Sequence, residues 1–207
     1  KKGIAASLNN IGIIYYEQGD YVKAIDYYTK SLKIDEELEN KNGIAICLGN
    51  IGIIYYEQGD FAKAMEYYTR SLKIKEELGD KKGIAYSLNN IGLIYQQQGD
   101  YVKAIDYYTK SLKIDEELGD KEGIAASLTN IGLIYTDQDD LAKALEKITK
   151  ALSIAQEIGS VEQIKNASEG LWEINKKLKK HSQALEMHEL YIQMRDSILS
   201  IENKTAT

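Results

Sequence analysis

The chain repeats itself. "LNNIGIIYYEQGDYVKAIDYY", which starts at Leu8, returns at Leu48 as "LGNIGIIYYEQGDFAKAMEYY" and at Leu88 as "LNNIGLIYQQQGDYVKAIDYY". A worn copy, "LTNIGLIYTDQDDLAKALEKI", starts at Leu128. The period is 40 residues without insertion, and residues 1–40 and 81–120 differ only at positions 6, 13, 16, 17, 39 and 40. A period of about 20–50 residues marks an array in which each unit buries its apolar side against its neighbours. The register runs through five units, 1–40, 41–80, 81–120, 121–160 and a degenerate capping unit 161–200, with a tail at 201–207. It is read as one continuous body, since the chain has no proline to force a linker.

Punctuation inside a unit falls about every 20 residues: Gly19-Asp20 closes one segment, and Gly79-Asp80 or Gly119-Asp120 closes the next. Glycine suits the left-handed position that ends a helix, and aspartate suits the cap that starts another. Between the marks apolar residues keep helical spacing, as Ile4, Leu8, Ile11 and Tyr15, then Tyr21, Ile25, Tyr28 and Leu32. Each unit is therefore expected to be two antiparallel helices, with no strand anywhere. Gly12 and Ala24 recur in the copies and would let the two backbones approach closely. Tyr15 and Tyr28, with their copies, are expected to be packing residues.

The pattern Leu8-x2-Ile11-Gly12-x2-Tyr15…Ala24-x3-Tyr28 resembles the tetratricopeptide repeat (TPR), with Leu8 where that family usually has Trp. The unit is longer than the family's usual length and lacks its closing Pro. It is similar to the longer variety found in kinesin light chains and cell-polarity adaptors. The resemblance implies an all-α solenoid of antiparallel helix pairs wound into a right-handed superhelix. Unit five has drifted: Trp172 stands at the position of Gly12, Asn175 at that of Tyr15 and His188 at that of Tyr28. The stretch "ALEMHELYIQMRDSILSIENKTAT" also resembles the TPR regions of bacterial sensor kinases and regulators.

Chemistry is hard to assemble from this inventory. His181 and His188 are the only two histidines, and Cys47 is the only cysteine. No metal site, cofactor or internal disulfide is expected, and Cys47 reads as a small helix residue. The carboxylates of "DEEL" at Asp35 and Asp115 are read as a solvated helix face. No phosphate-binding glycine motif is present, so an enzyme is the remote alternative. A net charge of −6 with no basic tract argues against nucleic acid and anionic membrane as partners. No apolar run approaches the roughly 18–20 residues of a membrane span, and the start at Lys1 does not read as a signal peptide. A cytoplasmic setting is expected, with a periplasmic sensor region of a membrane-anchored parent as the alternative.

The resemblance also implies where binding would occur, on a groove lined by the first helix of each unit. Carried over by position, the groove residues are Asn9, Asn10, Ile13, Tyr16 and Glu17 in unit one, and Asn50, Ile53, Tyr56 and Glu57 in unit two. Unit three supplies Tyr86, Asn89, Asn90, Leu93, Gln96 and Gln97, and unit four Asn130 and Leu133. Asparagine recurs as Asn10, Asn50, Asn90 and Asn130, and can serve a peptide group as both donor and acceptor. Two roles are open for it: gripping a ligand, or bonding a neighbouring helix. None of these groove positions is Lys or Arg, so the expected partner is a protein or peptide, neutral to basic and partly apolar. The alternative is a homo-oligomer formed through the repeat ends, with Ile4, Leu8 and Ile11 less covered than Ile84, Leu88 and Ile91.

Overall fold

A computed structural model describes the backbone of residues 1–205 and side chains through 200. Of the tail expected at 201–207, the last two residues lie outside the described residues, and backbone 201–205 continues the final helix. Ten helices make up the described residues: α1 (Lys2–Glu17), α2 (Tyr21–Glu37), α3 (Lys41–Glu57), α4 (Phe61–Leu78), α5 (Lys81–Gln97), α6 (Tyr101–Leu118), α7 (Lys121–Asp137), α8 (Leu141–Ile158), α9 (Val161–Lys177) and α10 (His181–Thr205). The fold is an all-helical repeat solenoid. It comprises two compact units, Lys1–Asp100 with α1 to α5 and Tyr101–Thr207 with α6 to α10.

Where the Gly-Asp dipeptide occurs, it does two jobs at the turn. Gly19, at φ 74°, sends its N–H to Tyr16 O (2.9 Å), and Asp20 N–H reaches Tyr15 O (2.9 Å). These bonds satisfy the last carbonyls of α1. The Asp20 carboxylate then accepts from Lys23 N at 3.1 Å and so caps α2. Where the glycine is lost the geometry persists: Glu39, Asp139 and Lys179 hold φ of 52°, 61° and 58°.

In the first unit, α1 packs on α2 and α3 on α4, and α2 and α4 pack on the following helix. A Cβ at Gly12 would lie 2.6 Å from the Tyr28 ring, and one at Gly52 would lie 2.7 Å from the Tyr68 ring. The crossing needs glycine because tyrosine fills the space a side chain would take. Ser31 Oγ donates to Ala5 O (2.7 Å) and Ser71 Oγ to Ala45 O (2.8 Å), tying the second helix of each pair to the first. Tyr15 stacks on Tyr27, and Tyr55 on Tyr67. Ile4 is 57% exposed, whereas Leu88 and Ile91 are buried.

In the second unit the core gathers Leu128, Ile148, Leu152, Ile164, Leu171 and Ile174. Ile148 takes the place of the tyrosine and packs against Gly132 and Gly170. Trp172 is half-buried, its ring 4.3 Å from that of His188. Asn175 is buried.

Candidate functional site

Within the first unit, α1, α3 and α5 set their groove residues against one another by one rule: a residue bonds the residue 41 positions on. Asn50 Nδ2 donates to Asn9 Oδ1 at 3.0 Å, and Tyr16 Oη donates to Glu57 Oε1 at 2.5 Å. Tyr21, at the start of α2, donates to the other oxygen of Glu57. Between α3 and α5 the Gln97 amide bonds the Tyr56 hydroxyl. Burial first, then the bond to Glu57 and its negative charge, holds the Tyr16 phenol above its ordinary pKa. The bond to Glu57 does the same for Tyr21. Six of the expected groove residues are thus joined in cross-helix rungs.

One rung is open. Gly49 stands where Asn9 stands one unit earlier, so Asn90 meets no side-chain oxygen there. Asn90 Nδ2 is shut away from solvent and has no hydrogen-bond partner among the described residues. A Cβ built on Gly49 would meet nothing closer than Ser71 Oγ at 3.7 Å. Around this gap Tyr86 is 51% and Ile46 42% exposed, and Ile53 and Leu93 are half-buried. Asn10 and Glu17 are exposed on α1, and Ile13 is 36% exposed. Asn89 and Gln96 are half-buried and already engaged.

On α7, in the second unit, Asn130 is half-buried and engaged, and Leu133 packs against the core. The rung rule continues there: Lys177 Nζ donates to Thr136 O at 2.7 Å, again 41 residues apart. The residue 41 positions on from Thr129 is Gly170, and Thr129 Oγ1 has no hydrogen-bond partner among the described residues.

A cleft of about 300 Å³ opens among α1, α2 and α3, lined by Asn9, Asn10, Asn42, Ile46, Cys47 and, at its base, Ser31 and Asp35. Here the sequence reading is corrected. Asp35 and Asp115 do not lie on a solvated face; each is only 4% exposed. The steps Ala24, Tyr28, Ser31, Asp35 keep helical spacing along the buried side of α2, a signal present in the sequence. Asn40 Nδ2 donates to Asp35 Oδ1 at 2.7 Å. The equivalent residue in the second repeat, 41–80, is Lys75, 8% exposed, and burial pulls its ammonium below the ordinary lysine pKa. Burial likewise raises the Cys47 thiol, which leaves it a poor nucleophile.

Among the described residues no group of three or more His, Cys, Asp or Glu is placed to hold a metal ion. No described helix is long and apolar enough to cross a membrane.

Comparison with known proteins agrees with the geometry. A family model for the tetratricopeptide repeat matches residues 3–77 and 83–157. No curated protein matches the chain in a sequence search. In structure it is similar to BtubC (BKLC) from P. vanneervenii, with TM-score 0.77 and 21% identity over 95% of this chain and 82% of that one. It is similar to a Rap protein complexed with Competence and Sporulation Factor, with TM-score 0.73 and 16% identity over 96% of this chain and 66% of that one. It is also similar to a protein of nearly identical TPR-like repeats from Podosopora anserina, named as a kinesin light chain candidate. That likeness has TM-score 0.69 and 14% identity over 96% of this chain and 98% of that one. At such identities these likenesses speak to fold alone. The Gly–Tyr helix crossings at a 40-residue period, together with a family match over most of the length, make the chain a member of the tetratricopeptide repeat family.

Proposed function

We propose that the chain is a binding scaffold, not an enzyme, and that it takes an extended protein segment along the face of α1, α3 and α5. The observation that carries this reading is the open rung: a buried amide N–H at Asn90, left without an acceptor by Gly49. A buried donor without a partner costs about 1–3 kcal/mol. The amide is shut from solvent, so a bound segment must part the side chains over it before its backbone carbonyl can accept the bond. The exposed Tyr86 and Ile46 beside it offer apolar contact. The neighbour complexed with Competence and Sporulation Factor supports a scaffold that captures a partner. The resemblance of the last two dozen residues to sensor-kinase TPR regions supports a place in a bacterial signalling protein.

The test is binding of a positional peptide library to the chain and to Asn90→Ala, by fluorescence anisotropy. The scaffold reading expects extended peptides that bind, and at least about fivefold weaker binding by the variant. Peptides that bind both proteins equally would remove Asn90 from the site, and a library with no binder would remove the reading. A second reading, self-association, is favoured by one observation: Ile4 and Ile14 of α1 are 57% and 51% exposed, whereas Ile54 is buried. Sedimentation across a concentration series distinguishes it, since peptide capture requires no change of mass.

A further inference from the structure

The cleft at the base of α2 carries a charge that the protein does not neutralise. Asp35 is 4% exposed, and among the described residues its one side-chain bond, from Asn40 Nδ2 to Oδ1, leaves Oδ2 to the cleft that the residue lines. No cation of the described residues pairs with it; Lys2 lines the cleft, is exposed and makes no ion pair. A buried carboxylate bonded to a single neutral amide remains poorly compensated. A Cβ on Gly43 would collide with Asp35, so the space above the carboxylate is kept by the absence of a side chain.

The next repeat shows what such a place holds when filled. There Lys75 replaces Asp35, and its chain lies over Gly83 as Asp35 lies over Gly43. Its ammonium reaches Ser87 Oγ at 3.3 Å and sits 5.5 Å from the centre of the Tyr86 ring. Ser87 and Tyr86 are the counterparts of Cys47 and Ile46, which line the open cleft. The counter-charge is also exchanged: Asp80, whose charge acts on Lys75, stands where unit one has neutral Asn40. The second interval therefore holds a lysine ammonium with its acid, and the first holds an acid with room for an ammonium.

From this we infer that the cleft is a subsite for a primary ammonium, the side-chain end of a lysine in the bound segment, with Asp35 as its counter-charge. Asn9 and Asn10 at the rim add hydrogen-bonding partners, and the wall from Ile46 takes the methylene stem. The inference rests on the scaffold reading for the source of the lysine, but not for the existence of the subsite.

The experiment titrates the full chain with n-butylammonium, the lysine side-chain analogue, and in parallel with n-butanol, followed by amide NMR. Saturable shifts at Ser31, Asp35, Gly43 and Cys47, weakened about tenfold or more by Asp35→Asn and absent with n-butanol, are expected. No shifts at these amides, or shifts that survive Asp35→Asn, would overturn the subsite. A second arm compares library peptides carrying lysine or norleucine at each position. Peptides that bind with no preference at any position sink the subsite while the scaffold stands. Shifts with n-butylammonium but no peptide binding keep the subsite and sink the scaffold.

Discussion

Two glycines one turn apart on α3 should respond in opposite directions to the same substitution. Both are buried. At Gly49 an added Cβ finds only Ser71 Oγ, at 3.7 Å, an ordinary contact. Gly49→Ala should therefore gain most of the intrinsic helix preference of alanine, about 1 kcal/mol. At Gly52 the Cβ would sit 2.7 Å from two carbons of the Tyr68 ring and 3.3 Å from a third. Carbon atoms rest at about 3.5–4 Å, so the ring would have to retreat by roughly 0.8 Å. Tyr68 is 3% exposed and has nowhere to go. Overpacking of this kind costs about 1–3 kcal/mol, and the upper part of that range exceeds the propensity gain. Gly52→Ala should lose about 1–2 kcal/mol, so the two variants differ by about 2–3 kcal/mol, or roughly 5–10 °C in Tm for a chain of this size. Thermal melts followed by far-UV circular dichroism measure the difference. If Gly52→Ala melts at or above Gly49→Ala, the Gly–Tyr crossing is not what sets the spacing of the pair.

Further outcomes follow from the turns. Glu39→Gly should raise stability by about 1 kcal/mol, because Glu39 holds φ 52° where other units have glycine; chemical denaturation checks this, and Asp139→Gly should behave alike. The carboxyls of Asp20, Asp60 and Asp140 are held below the usual range, chiefly by the bonds to Lys23, Lys63 and Lys143. A carboxyl whose folded pKa is depressed stabilises the fold above its unfolded value, about 3.9, and that stabilisation is lost as pH falls through the folded value. Melting temperature should therefore drop in strong acid, and replacing all three by Asn should keep the caps while flattening that slope.

Most of the fold is legible because most turns are marked by residues with one local reason to be there. The Gly-Asp pairs placed helix ends, and the recurrence of Gly12 and Tyr28 placed the crossings. The groove was harder to read. Its positions were aligned by the 40-residue period, whereas the bonds run 41 residues, from Asn9 to Asn50 and from Tyr16 to Glu57. Equivalent asparagines do not meet; the second of one unit meets the first of the unit before. That offset depends on how neighbouring helices lie, which a single unit's pattern does not contain. Asp35 was misplaced for another reason. A carboxylate suggests a solvent-facing position, although its spacing from Ala24, Tyr28 and Ser31 puts it inside. The residue type misled where the period was right.

If a bound segment completes the rung left open at Asn90, closing that rung from within should abolish the segment's place. Gly49→Asn restores at this position the residue that serves Asn50 from Asn9, in space that a Cβ can enter. Peptide affinity is then compared with that of the unaltered chain, alongside a thermal melt. Gly49→Asn should raise the melting temperature and weaken binding about fivefold or more, since the new oxygen takes the amide the ligand needs. Undiminished binding by a correctly folded Gly49→Asn chain would contradict it.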